Sequence, residues 1–116
     1  MWLADPKILC QKHLCGEHVE MHMFLGTIKL WKKINGYLEN NLFEPRLLFQ
    51  RHSELAEEMT NRGYNHKSPL TEEECNIVYY LKEEQLNNVV NRNDALEELL
   101  SRCHECKKRY DEKEKL

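Results

Sequence analysis

The sequence predicts an all-α protein: one compact domain of three to five helices, with the long first helix packed between the others. Three observations carry this. Apolar residues recur at helical spacing in three separate segments. Helix start and stop signals flank those segments. No run of alternating apolar and polar residues reads as a convincing strand, and no segment repeats. The length of 116 residues suits one modest core. A hydrophobic content of 41% is enough to fold, and a charged content of 32% favours solubility.

Asp5 and Pro6 mark the first start, as a cap followed by a first-turn proline. From about residue 7 to 34 there is no further proline, and the Asn35-Gly36-Tyr37 step is expected to end the helix. A second helix is predicted from residue 44 or 45 to 62, with Leu48, Leu55 and Met59 on one stripe and Gly63 as its stop. Residues 65–70 read as a loop. Thr71 and Glu74 have capping-box spacing, so another helix begins there. A last helix is expected over residues 94–108, turning Leu96, Leu99, Leu100 and Cys103 inward. The domain is taken as residues 1–110, and 111–116 as a solvated charged tail that frays.

Charge and cysteine content narrow the function classes. The formal net charge is −3; residues 1–66 hold eight basic and eight acidic side chains, and residues 67–116 hold nine and twelve. That balance gives no support for a broad basic face. No apolar run approaches the roughly 20 residues of a membrane span, and the start lacks the pattern of a signal peptide. A cytoplasmic protein is expected. Five cysteines, an odd number without a secretion signal, read as reduced thiols.

The opening helix holds the densest chemistry, in QKHLCGEHVEMH at residues 11–22. His13, Glu17 and Glu20 share an arc of roughly 60° beside the apolar stripe of Met21, Phe24, Ile28 and Trp31. They form either a buried polar network or a catalytic group, since a partly desolvated carboxylate suits proton transfer. Cys15, Val19, Met23 and Leu30 make a second apolar stripe, which is why the helix is expected to be sandwiched. His18 and His22 are half of a metal site at most, and solvent-exposed histidines are the reading adopted. In CHEC, residues 103–106, a zinc site lacks its second Cys-x-x-Cys pair unless Cys10 and Cys15 approach. Cys103 is therefore read as core, Cys106 as a half-exposed thiol, and no metal or cofactor is expected. In KLWKK, residues 29–33, the lysines either grip phosphate or snorkel around a buried Trp31.

CQKHLCGEHVEMH at residues 10–22, together with RHSELAEEMTNRGYNHKSPL at 51–70, resembles the pyrimidine-dimer DNA glycosylase family of the phage endonuclease V type. The resemblance covers roughly residues 2–70, and the CHECKKRY ending is similar to that of short bacterial members. It implies a glycosylase and apurinic lyase whose N-terminal amine forms a Schiff base with the sugar of damaged double-stranded DNA. By position, Glu20 matches the family's acid–base glutamate, and His13 its nearby histidine. An α-amine titrates at roughly 7.7–8.0, against about 10.4 for a lysine, so part of it is neutral near pH 7. Four departures stand beside the match, one of them an acidic balance unlike that of a DNA scanner. Val19 occupies the place of an arginine, the start is similar to the family's with two residues missing, and an aromatic-rich tail is absent. At about 3.3 Å per extended residue, the shorter start is expected to leave the Met1 amine several ångströms from Glu20.

The expected catalytic residues are thus Met1, Glu20 and His13, and the expected substrate contacts Glu17, Lys12, Lys29, Lys32, Arg51, Asn65 and His66. The competing expectation is a catalytically inactive relative, phage-encoded and acting in the host cytoplasm, that binds a nucleic acid, a nucleotide or a host protein. A third is a structural helical domain that dimerises through its last helix.

Overall fold

Met1 does not trail from the fold but is 7% exposed within its core. The computed structural model describes residues 1–30, 32, 35–39, 42–66 and 68–115. Seven α-helices run through them: α1 Gln11–Lys29, α2 Asn35–Glu39, α3 Leu48–Asn61, α4 Glu72–Cys75, α5 Glu83–Leu86, α6 Arg92–Arg102 and α7 His104–Glu114. Three 3₁₀ turns, Pro6–Ile8, Pro45–Leu47 and Asn76–Tyr80, lie between them, and no strand occurs among the described residues. The all-α expectation holds. None of these helices is long and apolar enough to cross a membrane.

The start signals act locally as their chemistry dictates, but several govern shorter elements than expected. Asp5 accepts from the Lys7 N–H, yet it caps only the Pro6–Ile8 turn. The long helix starts afresh after Cys10, whose sulfur accepts from the His13 N–H. Asn35-Gly36-Tyr37 opens α2 rather than closing a helix into nothing. Thr71 accepts the Glu74 N–H as predicted, though α4 is a single turn that tightens into a 3₁₀ segment. Gly63, at φ +81, takes the left-handed turn that ends α3. The predicted last helix is two helices, because Cys103 is extended (φ −122, ψ 108) and serves as both C-cap of α6 and N-cap of α7. Residues 111–114, expected to fray, continue α7. They are held by ion pairs from Lys107 to Asp111 and from Lys113 to Asp5.

α1 buries one face, not two. Leu14, Glu17, His18, Met21, Phe24, Leu25 and Ile28 are its buried residues and fall within an arc of about 120°. The second apolar stripe lies opposite and faces solvent, with Val19 64% and Leu30 66% exposed. The helix packs between α3 on one flank and α2 with the N-terminal segment on the other, as expected, while the face that carries Val19 and Leu30 is left in solvent; Trp31 lies outside the described residues. Phe24 stacks on Phe43 (ring centroids 4.0 Å) and meets Tyr37 edge-on, which seats α2 against α1.

One ion pair is buried at the α1–α3 contact. Arg51, 2% exposed, grips Glu17 with two nitrogens, Nε to Oε2 and Nη2 to Oε1 (2.9 Å). Its third nitrogen donates to the Ala4 carbonyl (2.8 Å) and to Glu54 (3.2 Å). About three turns further on and on the same face, Arg62 pairs with Glu58 and donates to the carbonyls of Pro6 and Leu9 (3.0 and 2.8 Å). Arg51 of α3 and Arg62 at its C-cap thus tie down the first nine residues, and Arg109 of α7 adds a bond to the Lys7 carbonyl. Removing one member of a buried pair strands the other charge, at a cost of about 3–5 kcal/mol. Arg51→Ala and Glu17→Ala should each lower unfolding stability by about that amount in urea titrations. Arg51→Lys should recover little of it, since an ammonium cannot reproduce the two-pronged grip.

Candidate functional site

The N-terminal segment doubles back onto α1. Leu3 adopts φ +54, a left-handed conformation that turns the first two residues toward the helix. The Met1 side chain enters the core, and its sulfur accepts the Glu44 N–H (3.4 Å). This leaves the α-amine hydrogen-bonded to the Glu20 carboxylate and to the Leu42 carbonyl (3.1 Å). The expected shortfall of several ångströms is not found. The left-handed turn and the buried methionine bring the amine to the glutamate by a shorter path than an extended chain would take.

The amine and the carboxylate open onto a cleft of ≈ 450 Å³. Trp2, Tyr37 and Leu42 line one side, while α6 supplies Asp94, Glu98 and Arg102 on the other. Glu44 holds that second wall in place. Its carboxylate accepts from Arg92 (2.6 and 3.1 Å) and from the Val90 N–H (2.9 Å). Burial opposes ionisation of Glu44, but the Arg92 and Val90 hydrogen bonds outweigh it and hold the carboxyl below its ordinary value. No sequence signal pointed to Asp94, Glu98 or Arg102, because their approach to Glu20 depends on long-range packing.

The other expected site residues are dispersed. Glu17 and Arg51 are buried against one another, so neither is free to meet a substrate, and a phosphate contact from Arg51 is corrected to a structural role. Lys12, Lys29 and Lys32 are exposed but do not line the cleft, and Lys29 pairs with Glu74 (3.4 Å). Asn65 is exposed, and His66 bonds His18 on a different flank of α1. His13 leaves the Glu20 arc at its ring, where Nδ1 meets Cys10 and Cys106.

The histidines expected in solvent form a packed group. His18 is 6% exposed and its Nε2 lies 2.8 Å from that of His66. His22 and His52 approach within 3.2 Å, and both reach the Ser68 carbonyl (3.0 and 3.1 Å). Burial, followed by the neighbouring imidazoles, drives His18 down to about 4. Burial and His22 lower His52 to about 4, against a smaller opposing pull from the Ser68 carbonyl. Two sets of metal-binding donors come together among the described residues: His18, His22 and His52, and Cys10, His13, Cys103 and Cys106, each with its ligand atoms within 4.8 Å of one another. The second set reverses two expectations. Cys106 is the fully buried thiol, pushed up to about 12 by burial, and Cys103 is the half-buried one.

The sequence model of the pyrimidine dimer DNA glycosylase family matches residues 1–72, more than half of the chain. This chain belongs to the pyrimidine dimer DNA glycosylase family. Its kind of function is accordingly that of a DNA-repair glycosylase. No curated protein and no solved structure matches it. The family match contains Met1, Glu20 and the Glu17–Arg51 pair, whereas the α6 wall of the cleft lies outside it.

The histidine group makes stability pH-dependent in a defined direction. Between 6.5 and about 4 the unfolded chain binds protons at positions 18 and 52 while the folded chain does not. Stability is therefore greatest above that window and is lost as pH falls through it. With a chelator present to remove any cation, the melting temperature should drop across this interval, and His52→Asn should flatten the slope when melting is followed by circular dichroism.

Proposed function

We propose that the protein is a glycosylase and apurinic lyase acting on damaged double-stranded DNA, with the Met1 amine as nucleophile and Glu20 as its acid–base partner. The amine nitrogen bonds to C1′ of the damaged nucleotide as the glycosidic bond breaks, and the base departs with the bonding electrons. Glu20, already the acceptor of the amine's hydrogen bond, takes the proton that the amine loses. Opening of the sugar ring gives a C1′=N imine. As the C1′–O4′ bond breaks, Glu20 returns its proton to O4′; again a carboxylate, it then removes the C2′ proton, the C2′=C3′ bond forms, and the C3′–O bond breaks to release the 3′ phosphate. Water hydrolyses the imine and frees the amine. This chemistry needs no metal at the reacting carbon.

The observation that carries this reading is the direct contact between the Met1 amine and the Glu20 carboxylate at the floor of a cleft. Both groups can then act on one sugar carbon, where reacting atoms must meet at roughly 3–3.5 Å. Burial of the methionine side chain fixes the amine before substrate arrives. Leu42 and Met23 leave apolar surface exposed near the cleft, Met23 beside Tyr37, which suits wedging an extruded base.

A second reading, a non-catalytic relative that binds a nucleotide or a host protein, draws on two other observations. Asp94 and Glu98 face the cleft and would repel phosphates, and exposed Val19 offers no charge where the resemblance calls for arginine. Borohydride trapping separates the two. With abasic-site duplex DNA, the lyase should yield a covalent adduct that peptide mapping places on Met1. Glu20→Gln should slow nicking by roughly 10²–10⁴-fold. A chain with its native amine free that forms no adduct is the binder instead. Val19→Arg should tighten duplex binding and steepen its salt dependence by about 0.9 in log–log slope, one phosphate contact's worth.

A further inference from the structure

We propose that Cys10, His13, Cys103 and Cys106 bind a single zinc ion that fastens the C-terminal helices to the start of α1. The four residues come as two short-spaced pairs, Cys-x-x-His and Cys-x-x-Cys, brought together from opposite ends of the chain. In a tetrahedral zinc site with Zn–S near 2.3 Å and Zn–N near 2.0–2.1 Å, two sulfurs stand about 3.8 Å apart, and a sulfur and a nitrogen about 3.6 Å. Here Cys10 Sγ and Cys103 Sγ are 3.8 Å apart, Cys106 Sγ and His13 Nδ1 3.6 Å, and Cys10 Sγ and His13 Nδ1 3.1 Å. Two of these distances match a tetrahedral site, the third is half an ångström short of it, and all four donor atoms lie within 4.8 Å of one another, a span that suits one ion; cysteines holding separate irons of a cluster would have to spread further apart. Three thiolates with one imidazole is a donor set suited to zinc.

The backbone around the sulfurs is arranged for thiolates. The Cys10 N–H points at Cys106 Sγ (3.2 Å), the Cys106 N–H at Cys103 Sγ (3.4 Å) and the His13 N–H at Cys10 Sγ (3.5 Å). Cys10 caps α1 and Cys103 caps α7, so two helix N-termini aim their positive ends at the site. Trp2 meets the His13 ring edge-on and steadies its orientation (centroids 5.9 Å). As zinc binds, the three thiols release three protons and the neutral imidazole donates its lone pair, leaving a site of charge −1. Four protein donors fill the tetrahedron and leave no open position, so the ion is structural rather than catalytic. Its position explains the break between α6 and α7: extended Cys103 turns its sulfur to the ion immediately after Arg102, which lines the cleft. The ion thereby anchors the α6 wall, whatever chemistry the cleft performs.

The test uses the full chain, purified without chelator and dialysed against metal-free buffer. Elemental analysis should find one zinc per chain, and cobalt substitution should give thiolate-to-cobalt charge-transfer absorption with visible bands of tetrahedral intensity. Cys103→Ser and Cys106→Ser should each weaken zinc retention by more than about 100-fold, beyond the loss typical of a residue that only supports a ligand. Cys15→Ser and Cys75→Ser should leave it unchanged. Should the cysteine variants fail to fold, the unaltered chain still decides: stripping zinc should lower its melting temperature, and adding zinc back should restore it with proton release. A metal-free chain with no response to zinc overturns the proposal. So does a Cys10–Cys103 disulfide in the native mass, a chromophore carrying iron and sulfide, or zinc that survives Cys106→Ser and is lost in His22→Asn.

Discussion

The Glu17–Arg51 pair is the constraint on which the rest of the molecule depends. In it α1 and α3 exchange full charges within the core, and it does more than join two helices. The same guanidinium reaches the Ala4 carbonyl, so the chain's opening segment is held by the residue that sets the helix packing. A hydrophobic pair could have filled the space at less desolvation cost. It could not have supplied a donor to the Ala4 carbonyl, which lies just before the Pro6–Ile8 turn. Arg62 repeats the device at the far end of α3, where it satisfies the carbonyls of the Pro6–Ile8 turn. Positioning of the amine is in this sense a product of α3, an element that contributes nothing to the cleft itself.

α1 divides its chemistry between its flanks. Glu20 lies on the flank that meets the N-terminal segment, α2 and α6; His18 and His22 lie on the other, against α3 and the loop that follows it. The buried stripe between them keeps the two groups apart. Each therefore has its own setting: a carboxyl group against the chain's terminal amine in one case, and imidazoles hydrogen-bonded to one another in the other. Asp94 and Glu98 of α6 add a field that disfavours phosphate in the cleft, offset in part by Arg102, while Leu42 gives the cleft an exposed apolar edge.

Local signals in the sequence were legible where one residue settles one backbone choice. Asp5 before Pro6, Thr71 before Glu74 and Gly63 after α3 all act as their side chains require. Element lengths were not legible, because what starts α1 at Cys10 and separates α6 from α7 at Cys103 is tertiary: the Cys10 N–H meets Cys106 Sγ from 96 residues away, and Cys10 Sγ meets Cys103 Sγ from 93. The amphipathic reading of α1 failed at Val19 and Leu30 because an apolar side chain carries no mark of which surface will cover it. Glu20 could be singled out from its place beside the apolar stripe. His13 could not be assigned, since its helical angle points toward Glu20 while its ring is taken by thiols that sequence proximity does not bring near. The histidines were misjudged for the same reason: His52 and His66 lie far along the chain from His18, and only the α1–α3 contact makes them neighbours.

Leu3 shows what the doubled-back start demands of its side chains. A residue held at φ +54 must keep its Cβ clear of the following carbonyl, and branching at that carbon makes the crowding worse. Leucine branches one carbon later, so it can bear the reversed handedness and still lay its methyls against the core. Valine or isoleucine, equally oily, would strain the turn that carries the chain's first nitrogen to Glu20. The third position is thus selective for the shape of a side chain rather than its greasiness.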